Sequence, residues 1–148
     1  MSTVFLISCG VKKRTNTTTA QSMYTGNYFA MQKKYANTFG DDFYILSAKY
    51  GLLNKNDVIE PYEHKLKPSE SKEWAKKVVA DIAANISTDN DIAILCGKVY
   101  RKDIVAPLKE LGYNVSIPLE DCKGMGYAIQ KMITDINDNP SLNNVFKN

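Results

Sequence analysis

Phe43-Tyr44-Ile45-Leu46-Ser47-Ala48-Lys49-Tyr50-Gly51-Leu52-Leu53 is the stretch on which the fold turns. The apolar run from Phe43 to Leu46 reads as a buried strand, predicted over residues 43–47. At its end Ala48, Lys49, Tyr50 and Gly51 bring small, basic, aromatic and glycine residues together, and strand ends are where open α/β sheets build their sites. The same residues also suit a strand leaving the core through an ordinary glycine turn. The stretch therefore points to a functional loop without naming a reaction.

On either side of this strand, strand-like and helix-like spacings alternate. Residues 3–8 read as a first strand. Residues 22–39 place Tyr24, Tyr28, Met31, Tyr35 and Phe39 at helical intervals, and Gly40 closes that helix. Ser69 caps a helix running to about residue 86, with Glu70 in its first turn and Ala75, Val78, Val79, Ile82 and Ile86 on one face. Residues 91–96 give a third strand, 99–111 a helix stopped by Gly112, and 115–117 a short fourth strand. Gly124-Met125-Gly126 opens a last helix with Ile129, Met132, Ile133 and Ile136, ahead of a polar tail over 137–148. Parallel strands need a crossover between them, so this order predicts one three-layer α/β domain over residues 1–148, a mainly parallel sheet flanked by helices. Residues 48–68 show no clear periodicity. Loops of that length are usually functional or disordered, and Tyr50, Pro61, Tyr62, His64 and Pro68 favour function.

A chain of 148 residues can bury a self-sufficient core without metal or disulfide staples. The cysteines, Cys9, Cys96 and Cys122, are odd in number and lack C-x-x-C spacing, which suits a reducing compartment, the cytoplasm. The first residues carry no basic segment and only a short apolar run, so they read as a strand, not as a signal peptide or membrane span. Net charge is only +3, yet residues 1–40 hold Lys12, Lys13, Arg14, Lys33 and Lys34 and no acid. A local basic surface beside the first strand follows, with phosphate as its natural partner, although a solvated loop and helix face would look the same.

The strand ends hold the candidate chemistry. After the first strand, Ser8, Cys9 and Gly10 can present donors where a ligand comes close, and Lys12 and Lys13 can hold a phosphate; no Walker A loop is present. After the third, Gly97, Tyr100 and Arg101 lie at a helix start, with Lys98 reading as an exposed base. Cys9 could act as a nucleophile with His64 as base and Glu63 or Asp57 as orienter, but a cysteine there is more often a small buried hydrophobe. The Cys and His spacing is not that of a zinc site, so neither metal nor cofactor is expected.

Tyr24-Thr25-Gly26, then Leu46-Ser47-Ala48-Lys49-Tyr50-Gly51-Leu52, then Pro61-Tyr62 resemble the YaaA-like proteins and the short bacterial and phage domains that share these motifs. The short domains are also similar at Ser8-Cys9 with Lys12-Lys13, at Gly97 to Tyr100, and at Pro118-Leu119 followed by Gly124-Met125-Gly126. The resemblance implies a DNA-glycosylase-like α/β fold and a role in binding DNA or acting on a nucleobase. This chain is shorter than a YaaA protein and lacks the segment that would supply an additional DNA-binding helix pair. Breaking an N-glycosidic bond needs a carboxylate near an oxocarbenium-like sugar and donors for the departing base. Glu63, then Asp57 or Glu60, are the acids in the motif loop, and Glu63, Asp57, Ser47 and Lys49 form the expected catalytic set. Tyr24, Tyr50 and Tyr62 would stack on an extruded base, and Lys12, Lys13 and Lys49 would hold its backbone. Ser8, Cys9, Gly10, Thr25, Gly26, Ala48, Gly51, Pro61, Gly97, Tyr100 and Arg101 complete the expected binding set, with core packing as the alternative for each tyrosine. The expectation is nucleobase-directed glycosylase or base-exchange chemistry on nucleic acid or a nucleotide. The alternatives are a non-catalytic nucleic-acid or nucleotide-binding module, stress- or phage-related, and an interaction protein that inhibits a partner.

Overall fold

The computed structural model describes residues 2–138 and sets Thr3–Ser8 (β1) at the centre of a five-stranded sheet. Every residue of β1 from Val4 to Ser8 is buried, as a strand covered on both faces demands. β1 runs parallel to Asp42–Ser47 (β3) on one side and to Asp91–Ile94 (β6) on the other. Asn114–Ser116 (β7) extends the sheet beyond β6 in the same direction, and Gly51–Asn54 (β4) closes the opposite edge antiparallel to β3. Two further strands, Thr18–Thr19 (β2) and Val58–Ile59 (β5), form a separate antiparallel ribbon.

Alternation along the strands sorts the core into two layers. Phe5, Ile7, Phe43 and Ile45 face Phe29, Tyr35 and Ala36 of Asn27–Phe39 (α2), together with Ala128, Met132 and Ile136 of Met125–Asn137 (α6). Val4, Leu6, Ile92 and Ile94 face the other way, onto Ala75, Val78 and Ile82 of Ser71–Asn85 (α3) and Leu108 of Val105–Glu110 (α5). The result is the three-layer α/β arrangement expected. Full burial of a side chain such as Ile82 or Met132 contributes about 1.5–3 kcal/mol, so each layer is held by many such terms.

The structure corrects several boundaries. The helix expected over 22–39 is two helices, Ala20–Met23 (α1) and α2, because Tyr24, Thr25 and Gly26 are extended or outside helical geometry and the Tyr24 backbone bridges to Lys13. Starting the period at Tyr24 also misplaces the apolar face: Phe29, Gln32, Tyr35 and Ala36 are buried, whereas Phe39 is exposed. The helix expected over 99–111 divides into Lys98–Arg101 (α4) and α5, whose Pro107 occupies the first turn, where a missing N–H costs nothing. The aperiodic segment 48–68 contains β4 and β5, strands too short to show a period. The third strand stops at Ile94, and a 3-10 turn over Pro68–Glu70 precedes α3. Beyond Asn137, which is still helical, the expected polar tail lies largely outside the described residues.

Strand order β4-β3-β1-β6-β7 means that the chain adds β3 on one side of β1 and then returns to add β6 on the other. Such a reversal opens a crevice at the carboxyl ends of the strands, here between the segments following Ser8 and Ile94.

Candidate functional site

The loop after β1 is laced to the Tyr24 segment by backbone hydrogen bonds. Arg14 N–H donates to the Met23 carbonyl at 2.8 Å and Thr25 N–H to that of Lys12 at 3.0 Å. The β2–β5 ribbon, helped by Ala20 N–H to the Asp57 carbonyl at 2.7 Å, ties the following chain to the 55–59 segment. That ribbon carries Pro61 and Tyr62 back toward the end of β3. There, Gly51 turns the chain into β4 with φ of +74°, a conformation costly for any residue with a Cβ.

These connections bring three separated segments into one hydroxyl chain. Tyr24 Oη lies 2.6 Å from Tyr62 Oη, and Tyr62 Oη lies 2.7 Å from Ser47 Oγ. Ser47 Oγ also accepts the N–H groups of Lys49 and Tyr50, and its carbonyl accepts the Trp74 indole N–H at 2.9 Å. Burial pushes the Tyr24 phenol up to about 12 and raises that of Tyr62 as well, with the nearby Cys9 thiol adding to both. Both tyrosines keep their protons at neutral pH.

Two ammonium groups lie over these rings. Lys13 Nζ is 4.5 Å from the centre of the Tyr62 ring and 5.8 Å from that of Tyr24; Lys49 Nζ is 5.2 Å from Tyr50 and 6.0 Å from Tyr62. From Lys13 a cleft of about 630 Å³ continues along Arg14, Asn16, Thr18, Ser22 and Thr25, a lining of cations, hydroxyls and amide without a carboxylate. Lys12 is exposed nearby in sequence.

At the crevice between β1 and β6, Cys9 Sγ lies 3.4 Å from Tyr100 Oη, and the Cys9 N–H donates to the Leu46 carbonyl across to β3. Burial, then the Cys9 thiol, raises the Tyr100 phenol. Ser8 is buried and bound to Gln32, and Ala48 is buried as well. Gly26 and Gly97 are the residues before α2 and α4. Gly10 approaches Tyr24 and Phe29 at distances a Cβ would tolerate, so no steric demand for glycine exists there.

Other expected residues stand differently. Arg101 turns inward and donates to the Cys96 carbonyl at 3.0 Å, closing the end of β6. The Asp57 carboxylate accepts the Asn54 N–H in the β4–β5 turn. Glu63 and Pro61 are exposed beside Tyr62, and His64 is 3.4 Å from Glu70 on the surface. The rings of Tyr24 and Tyr62 pack against Phe29, Tyr50 and each other, so base stacking would fall to the half-exposed Tyr50. Among the described residues no cluster of three His, Cys, Asp or Glu side chains is placed to hold a metal ion, and no helix is long and apolar enough to cross a membrane.

Residues 4–132 match a family described as one of unknown function, DUF6884. The chain belongs to the DUF6884 family. It is also 27% identical over 148 residues to the uncharacterized protein YfjM of Bacillus subtilis (strain 168), covering 89% of this chain and 93% of that relative. The DUF6884 match includes Tyr24, Ser47, Tyr62, Cys9 and Tyr100, so the whole strand-end cluster belongs to the family region. Two contributors to the candidate site have little or no signal in the sequence. Gln32 has a signal, a polar residue on the apolar side of α2; Trp74 has only its position beside Ala75 at the start of α3.

Proposed function

We propose that this protein binds a nucleotide or a nucleic-acid strand at the carboxyl edge of its sheet. The observation that carries this reading is the convergence of Tyr24, Ser47 and Tyr62 on one hydroxyl chain beneath the ammonium groups of Lys13 and Lys49. Cations over an aromatic floor suit a phosphate-bearing ligand, and the half-exposed Tyr50 offers a ring on which a base could stack. The cleft running from Lys13 along Arg14 supplies room for an adjoining phosphate. The three residues come from the segments that resemble YaaA-like proteins, and a DNA-glycosylase-like relationship is part of the same proposal.

A second reading, N-glycosidic cleavage or base exchange, is favoured by one placement. Glu63 leaves the loop immediately after Tyr62 with an exposed side chain, whereas Asp57 is engaged in its turn. Glu63, with the exposed Glu60 as the other acid of this loop, is a carboxylate that could reach a sugar held at this rim.

Titration of labelled single-stranded oligonucleotides and nucleoside monophosphates at several salt concentrations tests the binding reading; absence of binding to all of them ends it. Release of free base, measured beside it for wild type and Glu63→Gln, separates the readings. A loss of about a hundredfold in turnover with binding retained supports catalysis. Binding without base release by wild type leaves the module.

A further inference from the structure

Hydrogen-bond capacity gives the hydroxyl chain a direction. Ser47 Oγ receives the backbone N–H groups of Lys49 at 3.2 Å and Tyr50 at 3.0 Å. A hydroxyl oxygen offers two lone pairs, so both are taken and its own proton is left for Tyr62 Oη at 2.7 Å. Tyr62 in turn donates to Tyr24 Oη at 2.6 Å. The reverse direction would crowd a third donor onto Ser47 Oγ and strand the proton of a side chain with no exposed surface. Tyr24 therefore ends the chain. Its oxygen accepts from Tyr62, and its proton has no acceptor among the described residues.

Ammonium groups lie over the rings of the chain, and the Cys9 thiol lies near its buried Tyr24 end. Lys13 Nζ lies 5.8 Å from the Tyr24 ring and 4.5 Å from that of Tyr62, and Lys49 Nζ lies 6.0 Å from the latter. A donor at the end of a polarised chain, with the Lys13 ammonium over its ring, matches an electron-rich oxygen. We propose that Tyr24 is the specificity-determining donor of this site, oriented by Ser47 through Tyr62, and that it takes an acceptor oxygen of the ligand, a phosphate oxygen or a nucleobase keto oxygen. The assignment rests on the nucleotide-binding reading above. Burial, which pushes the phenol up to about 12, keeps Tyr24 a donor across neutral pH.

The test is calorimetric titration of wild type, Tyr24→Phe and Tyr113→Phe. The probes are single-stranded oligonucleotides, the four common nucleoside 5′-monophosphates, their nucleosides and inorganic phosphate. Tyr113 donates to the Ile86 carbonyl in the opposite core layer, so its variant loses a buried phenol hydrogen bond away from the site. Tyr24→Phe is expected to bind at least one monophosphate about tenfold more weakly, with Tyr113→Phe unchanged. Weakening retained with nucleosides assigns the keto oxygen; weakening retained with inorganic phosphate assigns the phosphate. Binding by wild type with Tyr24→Phe unchanged throughout overturns the Tyr24 assignment alone, and wild type that binds no probe overturns the nucleotide reading beneath it. A neutron structure of wild type reads the chain directly, whatever the stability of the variant: deuterium on Tyr62 Oη directed at Tyr24 is expected, and deuterium on Tyr24 Oη directed at Tyr62 overturns the proposal.

Discussion

Gln32 clamps Ser8 from two sides: its Oε1 accepts the Ser8 N–H at 3.0 Å and the Ser8 hydroxyl at 3.2 Å, while its Nε2 donates to the Ser8 carbonyl at 3.3 Å. Gln32 has no exposed surface, and Ser8 is the last residue of the central strand. The clamp joins α2 to the carboxyl end of β1, where the chain turns into the Cys9 loop. Gln32→Leu would keep the volume but leave the buried Ser8 groups without partners, at a cost of about 3 kcal/mol. Urea denaturation checks this; a cost under about 1 kcal/mol would mean that Ser8 finds other partners.

Gly51→Ala places a Cβ on a residue with φ of +74°, although the nearest atom, Val78 Cγ2, would be 3.6 Å away, an ordinary contact. The cost is therefore backbone strain, about 1–2 kcal/mol, without a clash. It should lower stability in urea and, because Gly51 opens β4 beside Lys49 and Tyr50, weaken ligand binding as well. Unchanged stability would show that the turn relaxes.

Lys13→Ala and Lys49→Ala should each weaken oligonucleotide binding and reduce the slope of log affinity against log salt by about 0.7, the single-strand value per phosphate contact. Lys76→Ala, on an exposed α3 residue paired with Glu73, should change neither. Equal slopes in all three variants would place both lysines outside the interface.

Alkaline unfolding should begin early. Tyr24 has a folded value pushed up to about 12 against an ordinary 10.0, chiefly through burial. The unfolded chain therefore gives up this proton first, so the stabilisation is complete below about pH 10 and is lost as pH rises toward about 12. Tyr62 and Tyr100 shift in the same direction. Urea midpoints measured from neutral pH upward should fall beyond about pH 10, and less steeply in Tyr24→Phe than in wild type. An identical slope in the variant would remove Tyr24 from the effect.

The central strand and β3 are legible as short apolar runs, and the face of α3 because its apolar residues recur over enough turns to show a period. Ala75, Val78 and Ile82 lie where that period puts them. The Tyr24 segment reads as helix because Tyr24, Tyr28, Met31, Tyr35 and Phe39 fall at helical intervals. Tertiary pairing with Lys13 and the hydroxyl contact to Tyr62 override that local preference. For the site, the strand-end residues Ser8, Cys9, Ser47, Lys49 and Tyr100 were recognisable as a group. The carboxylates were not, since proximity in sequence to Pro61-Tyr62 says nothing about where a side chain points.

By itself the sequence determined the α/β class, the order of the main strands and helices and the excess of cations before residue 40, because hydrophobic period and charge are local properties of a chain. Only the tertiary structure decided that Tyr24, Ser47 and Tyr62 meet. The ribbon that brings Tyr62 back pairs Thr18–Thr19 with Val58–Ile59, strands of two residues each, too short for any pattern of their own. Their register exists through pairing between segments about forty residues apart, as does the direction of the hydroxyl chain, which depends on two backbone N–H groups presented by the turn after β3.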